Sequence, residues 1–236
     1  LVFKYIIFKA FIMKKSIQSY VLLGASFMAL SVQAQDLYDV KKAIPSLVTD
    51  IRYFGTDNFV GTRITGYAAP KCLLSLGALA ALKVAQTSVQ QFGLSLKVYD
   101  CYRPQRAVDH FVSWAEDLDD TKNKAKFYPD VDKSQLFKLG YIAAKSGHSR
   151  GSTLDVTLID ARSGTELDMG TTWDYFSPLS WPSSTKVSLQ QRANRMLLAK
   201  VMLNAGFKGL KEEWWHFTLN NEPFKAQYFD VAITDK

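Results

Sequence analysis

Ser146-Gly-His148-Ser-Arg-Gly151-Ser-Thr-Leu-Asp155-Val-Thr-Leu-Ile159 is the stretch around which the rest of the chain is organised. It can bring an imidazole and a carboxylate to one metal ion. Seven residues of strand would part His148 from Asp155 by about 23 Å, and seven of helix by about 10 Å. Ligands of a single zinc sit about 2 Å from it, so neither geometry serves. The chain must fold back between them, and Gly151 stands where such a turn needs permissive backbone. The run 154–159 then reads as a strand, with Asp155 near its start.

A second fragment, Glu213-Trp-Trp-His216, can supply the rest of a site. The chain has three histidines. His110 falls in the helix expected after Pro104, with nothing ligand-like beside it, and reads as structural. His148, Asp155 and His216 would fill three zinc positions and leave the fourth open for water. Glu213 is then the candidate base. In a regular strand an offset of three puts Glu213 and His216 on opposite faces. Glu213 must therefore lie in the turn entering the strand, or a bulge must intervene. Glu212 competes for the role but suits a solvated surface acid better.

Outward from these fragments the chain alternates helix and strand. Ala34–Val48 reads as an N-terminal arm and 47–53 as a short strand. Gly55–Gly66 reads as a loop shaped to approach something. Apolar spacing predicts a helix over 74–92, ended by Gly93, and a strand over 94–99. Pro104 then opens a helix over 105–114, which leaves Arg103 at a strand-to-helix corner. Residues 116–133 are polar and mixed in charge, an excursion over the surface, and 134–144 are expected to be helical. Residues 160–182 form a long irregular segment, a type that is often functional. A helix over 188–205 and a strand over 212–219 complete a single domain of α+β type: a small, mainly antiparallel sheet with flanking helices.

The formal charge of +7 invites a nucleic-acid reading. Residues 1–34 hold four lysines and no acid, leaving 25 basic against 22 acidic residues, or +3, for the remainder. That excess is too mild to argue for nucleic acid or an anionic membrane. The same N-terminus reads as a signal peptide over residues 1–34. Met13-Lys14-Lys15 starts it, Val21–Leu30 is its apolar core, Val32-Gln33-Ala34 offers a cleavage site, and 1–12 read either as untranslated sequence or as an upstream extension. The alternative is an uncleaved membrane anchor. Export to a periplasmic or secreted location favours a disulfide between Cys72 and Cys101. The alternative is two buried thiols. No stable membrane insertion is expected after cleavage.

Ser-x-His-x-x-Gly-x-x-x-Asp followed by Glu-x-x-His resembles the zinc D,D-peptidases related to the D-alanyl-D-alanine dipeptidases of vancomycin-resistance clusters. The Asp-x-Tyr-Arg-Pro corner, the Asn58-Phe59-x-Gly61 loop and Glu-Trp-Trp-His are similar to the dipeptidase branch in particular. The match runs from about Asp50 to Phe217. It implies a D,D-peptidase/Hedgehog-like fold holding one zinc ion on His148, Asp155 and His216, with Glu213 as base. It also implies Arg103 as oxyanion stabiliser, Asp174 as receiver of the substrate's amino group and Ser146 as a wall of the substrate site. Cys101 stands where some relatives have glycine. The activity implied is hydrolysis of the free dipeptide D-Ala-D-Ala, a peptidoglycan-related substrate. Two alternatives are a D,D-carboxypeptidase trimming peptidoglycan stems and a non-catalytic wall-binding module.

Overall fold

Strand β5 (Thr153–Asp160) is the middle of a five-stranded sheet, with β4 (Leu94–Asp100) and β7 (His216–Leu219) antiparallel on its two sides. Beyond β4 lies the short parallel strand β2 (Val48–Thr49), and β6 (Phe207–Gly209) closes the other edge beside β7. Strands β1 (Leu37–Asp39) and β3 (Leu73–Ser75) pair separately. These coordinates are a computed structural model, which describes residues 37–235. The expected signal peptide, residues 1–34, lies outside the described residues.

Side chains of a strand point alternately to its two faces, and β5 is covered on both. Leu154, Val156 and Leu158 are fully buried on one face. Helices α2 (Leu76–Gln90) and α5 (Leu189–Asn204) pack on each other and against β4 and β5. Ser75 caps α2 by accepting from the Ala78 N–H, and Ser188 with Gln191 forms a reciprocal capping box on α5. Asp155 and Thr157 are buried on the opposite face, where Trp173 of the long 160–182 segment reaches Asp155. α3 (Gln105–Glu116) starts directly after Pro104, as that residue's position implies. The single-turn helices α1 (Val40–Ala43) and α4 (Lys124–Phe127) complete the set.

A bulge in β4 matters for everything that follows. Val98 pairs with Val156, but the next pair is Asp100 with Asp155, so Tyr99 is the extra residue. The irregularity puts Asp100 beside Asp155 at the head of the sheet. Cys101 follows at once and is bonded to Cys72, tying the end of β4 to the residue before β3. The disulfide, rather than two free thiols, is what forms.

Three local expectations change. Residues 134–144 are not a helix: a 3-10 turn at Lys133–Gln135 gives way to further turns. Lys133 is drawn inward to donate to the carbonyls of Asp117 and Asp120 at 2.5 and 2.7 Å, and Gly140 is left-handed at φ 80°, which no helix interior accepts. The strand expected over 47–53 stops at Thr49, because the chain turns through a 3-10 segment at Arg52–Phe54 that buries Tyr53. The last strand begins at His216 rather than 212. Among the described residues, no helix is long and apolar enough to cross a membrane.

Candidate active site

Asp155 and His216 face each other directly across β5 and β7. Opposed residues of an antiparallel pair hold their Cβ atoms about 4.5–5.5 Å apart, so this register alone brings carboxylate and imidazole together. His148 arrives by the fold-back. The Ser146 hydroxyl accepts from the His148 N–H at 3.2 Å, capping a 3-10 turn over Gly147–Arg150, and Gly151 at φ 74° reverses the chain into β5. Asp155 Oδ1 then lies 3.3 Å from His148 Nε2 and 3.2 Å from His216 Nδ1, with 3.2 Å between the two nitrogens.

These atoms fit a metal. A tetrahedral zinc with bonds of about 2.0–2.1 Å spaces its ligand atoms about 3.3 Å apart. Asp155 Oδ1 is buried without a hydrogen-bond partner, an expensive state that a bound cation removes. His148 Nδ1 lies 2.7 Å from the Cys101 carbonyl, which can only accept, so Nδ1 carries the proton and Nε2 turns a lone pair to the site. Burial lowers the His148 pKa and so disfavours the protonated ring, while at His216, against burial, hydrogen bonding to Asp155 raises it. The other Asp155 oxygen accepts from Trp173 Nε1 at 3.1 Å.

Glu213 sits in the turn ahead of β7, and its Oε2 lies 3.4 Å from His216 Nδ1. Burial raises its pKa to about 7. Glu212 pairs instead with Lys211 at 3.2 Å, toward solvent. Arg103 donates through Nε and Nη2 to Asp100 Oδ2 at 3.0 and 2.9 Å, and its Nη1 lies 3.5 Å from the Ser146 hydroxyl. Asp174 has φ 55°, the one positive value among the described non-glycine residues. That backbone turn follows Trp173 and presents the Asp174 carboxylate to Tyr53, whose hydroxyl donates to it at 2.6 Å. Burial, with the Asp155 charge adding to it, pushes the Asp174 pKa well up. His110 stays apart, its Nδ1 accepting from the Thr65 N–H at 3.1 Å.

Comparison with known proteins decides the family. A family profile described as D-ala-D-ala dipeptidase, Peptidase_M15, matches residues 33–234. The chain belongs to that family. A D-alanyl-D-alanine dipeptidase of Streptomyces coelicolor is 38% identical, covering 84% of this chain and 98% of its own. One of Enterococcus faecalis is 35% identical over 78% and 92%, and one of Escherichia coli 34% identical over 84% and 94%. The solved structure of a point mutant of vancomycin-resistance D,D-pentapeptidase VanY, in complex with Zn(II), aligns with 65% of this chain and 76% of its own at 13% identity and a TM-score of 0.40. As a member of the dipeptidase family the chain is a metallopeptidase, and zinc is the cofactor that its donor set accommodates.

The family's reaction needs a cleft for a small substrate, and one of about 260 Å³ opens over His148, Asp155 and His216. Arg103, Ser146, Asp174 and Glu213 all line it, so the fold collects every cleft residue expected from the sequence. The Cys72–Cys101 bridge stands behind it, under the carbonyl that holds His148. Sequence reasoning missed Asp100, Tyr53 and Trp173. Asp100 had a visible signal, an acid three residues before the arginine in Asp-Cys-Tyr-Arg-Pro. Tyr53 and Trp173 had none, since their roles depend on a chain reversal and a left-handed residue.

Proposed function

We propose that this chain hydrolyses the free dipeptide D-Ala-D-Ala to two D-alanines, as its relatives' names describe for them. The observation carrying this reading is the convergence of His148, Asp155 and His216 on one buried carboxylate oxygen, with Glu213 beside them. His148, Asp155 and His216 would hold the zinc, which when bound polarises a carbonyl and acidifies water. Glu213 takes the proton of the attacking water on its carboxylate and returns it to the leaving amine. A base whose pKa lies near neutrality is matched to both transfers. Arg103, already fixed by Asp100, turns Nη1 to the charge that develops on the carbonyl oxygen. Ser146 orients the turn carrying His148 and lines the substrate's path.

Asp174 gives the cleft its preference for a free amine. Burial and the Asp155 charge disfavour the ionised Asp174, and a substrate ammonium offsets both, so the carboxylate held by Tyr53 ionises against a free amine, whereas an acylated nitrogen forfeits that ion pair. This favours a dipeptidase over a carboxypeptidase acting on peptidoglycan stems, whose substrate carries a blocked nitrogen. The test is zinc-dependent release of D-alanine from D-Ala-D-Ala and from its N-acetyl derivative. A Glu213→Ala protein that keeps its zinc and full activity would sink the mechanism, and equal turnover of both substrates would sink the preference.

Export follows from the charged start, apolar core and small residues of the N-terminal segment, with cleavage after Ala34 giving a domain of residues 35–236. The Cys72–Cys101 bridge supports an oxidising compartment. An exported dipeptidase fits wall recycling or nutrient salvage better than control of cytoplasmic precursors. Recovery of the mature protein from the cytoplasm would contradict this.

A further inference from the structure

Two cationic side chains line the cleft, Arg103 and Lys145, against three carboxylates, those of Asp155, Asp174 and Glu213. The two cations are not equivalent. Arg103 is already committed to Asp100 through two N–H groups. Lys145 has no such commitment: among the described residues, no carboxylate lies within ion-pair distance of its ammonium. The side chain instead rests over the Tyr228 ring, 4.9 Å from the centroid. Tyr228 also lies beneath the Arg150 guanidinium at 5.7 Å, and Arg150 is fastened to Glu222 at 2.7 and 2.8 Å. The aromatic seat of Lys145 is therefore anchored while its three N–H donors stay free.

A free dipeptide is a zwitterion. With its ammonium on Asp174 and its scissile carbonyl at the metal site, the dipeptide still has a terminal carboxylate to place. Arg103 is engaged with Asp100 and with the oxyanion, which leaves Lys145 as the cleft's uncommitted cationic donor. Lys145 immediately precedes Ser146, the cap of the turn that carries His148, and both residues line the cleft. Resting on the dipeptidase reading, we propose that Lys145 receives the terminal carboxylate of the substrate and sets a preference for a free C-terminus. The cleft then reads both ends of the dipeptide, Asp174 the amine and Lys145 the acid. A lysine suits this task as a compact charge on a flexible stem that can follow the carboxylate of short substrates.

The experiment compares D-Ala-D-Ala with its C-terminal amide in the wild-type protein, Lys145→Met and Lys145→Arg. Lys145 is exposed, and its replacement leaves the core untouched. The wild type is expected to favour the acid. Lys145→Met should raise KM for the acid about tenfold, with kcat within about twofold and turnover of the amide unchanged, the pattern of lost ground-state binding. Lys145→Arg should keep the preference. Equal loss on acid and amide, loss on neither, or a wild type indifferent to the amide overturns the assignment. A wild type that cleaves the amide and the N-acetylated form but not the free dipeptide overturns the dipeptidase reading instead.

Discussion

Asp100 holds Arg103 through a single oxygen: Oδ2 accepts from Nε at 3.0 Å and from Nη2 at 2.9 Å. Its other oxygen accepts from the Tyr67 hydroxyl at 2.6 Å, and His148 Nδ1 lies 3.4 Å from Oδ2. One fully buried carboxylate thus orients the guanidinium and borders the imidazole, without lining the cleft itself.

Asp100→Asn keeps the shape and removes the charge. Partners of this kind cost roughly 10–100-fold when changed, and the role proposed for Arg103 on developing charge puts the expected loss on kcat more than KM. Steady-state kinetics on D-Ala-D-Ala decides it, and an unchanged kcat would refute the positioning role. Asp100→Ala strands a buried guanidinium and should cost about 3–5 kcal/mol in urea unfolding.

Trp173→Phe keeps the ring and deletes the N–H that Asp155 Oδ2 accepts. A ligating carboxylate left half-satisfied loses orientation, and zinc affinity should fall about tenfold. Competition against a chelator of known affinity measures it. Equal affinities in the two proteins would show that the indole only fills space.

The Cys72–Cys101 bridge closes a sequence separation of 29 residues. Replacing both cysteines by alanine should lower stability by about 3.5 kcal/mol in the chain-entropy account. Activity should also fall, because the His148 proton acceptor is the Cys101 carbonyl. Melting curves of the double variant, and of the wild type under reductant, test both parts together.

Asp50 gives stability a pH dependence at the acid end. Burial acts to raise its pKa, but Lys97 and Arg52, each 2.8 Å away, outweigh burial and hold it below the ordinary value. A depressed folded value means stabilisation that is present above the unfolded pKa of about 3.9 and is lost as pH falls through the folded one. Asp50→Asn should therefore be less stable than wild type at pH 6, and the gap should close below about pH 4. The effect is small because the carboxylate is partly solvated. Urea midpoints across that range would expose any failure.

The turn at Gly151 could be read from spacing, since it follows from how far a strand or helix separates two residues; for Glu213 spacing left a turn or a bulge open, and the structure has it ahead of β7. The helix over 76–90 and the strand from residue 153 were legible because their apolar periods are long. Asp100 stood in a legible corner, three residues before Arg103, but its place beside Asp155 depends on one bulged residue, and alternation cannot reveal a bulge. Trp173 escaped notice because aromatic residues in irregular segments fill cores far more often than they orient carboxylates. The 134–144 segment misled because Leu136 and Ile142 are both buried, yet turns deliver them rather than a helix.

Gly151 has one more neighbour. A Cβ placed there would meet Leu37 Cδ2 at 2.4 Å, and Ser75 of β3 donates its N–H to the Gly151 carbonyl at 2.7 Å. The first described residue of the chain therefore plugs the underside of the fold-back that carries His148. If leader removal falls after Ala34, the new amino terminus, Gln35, lies two residues from that plug. Removal of Leu37 along with such a leader would pull the wedge from beneath the turn that carries His148, and the place of the cut would then bear on activity.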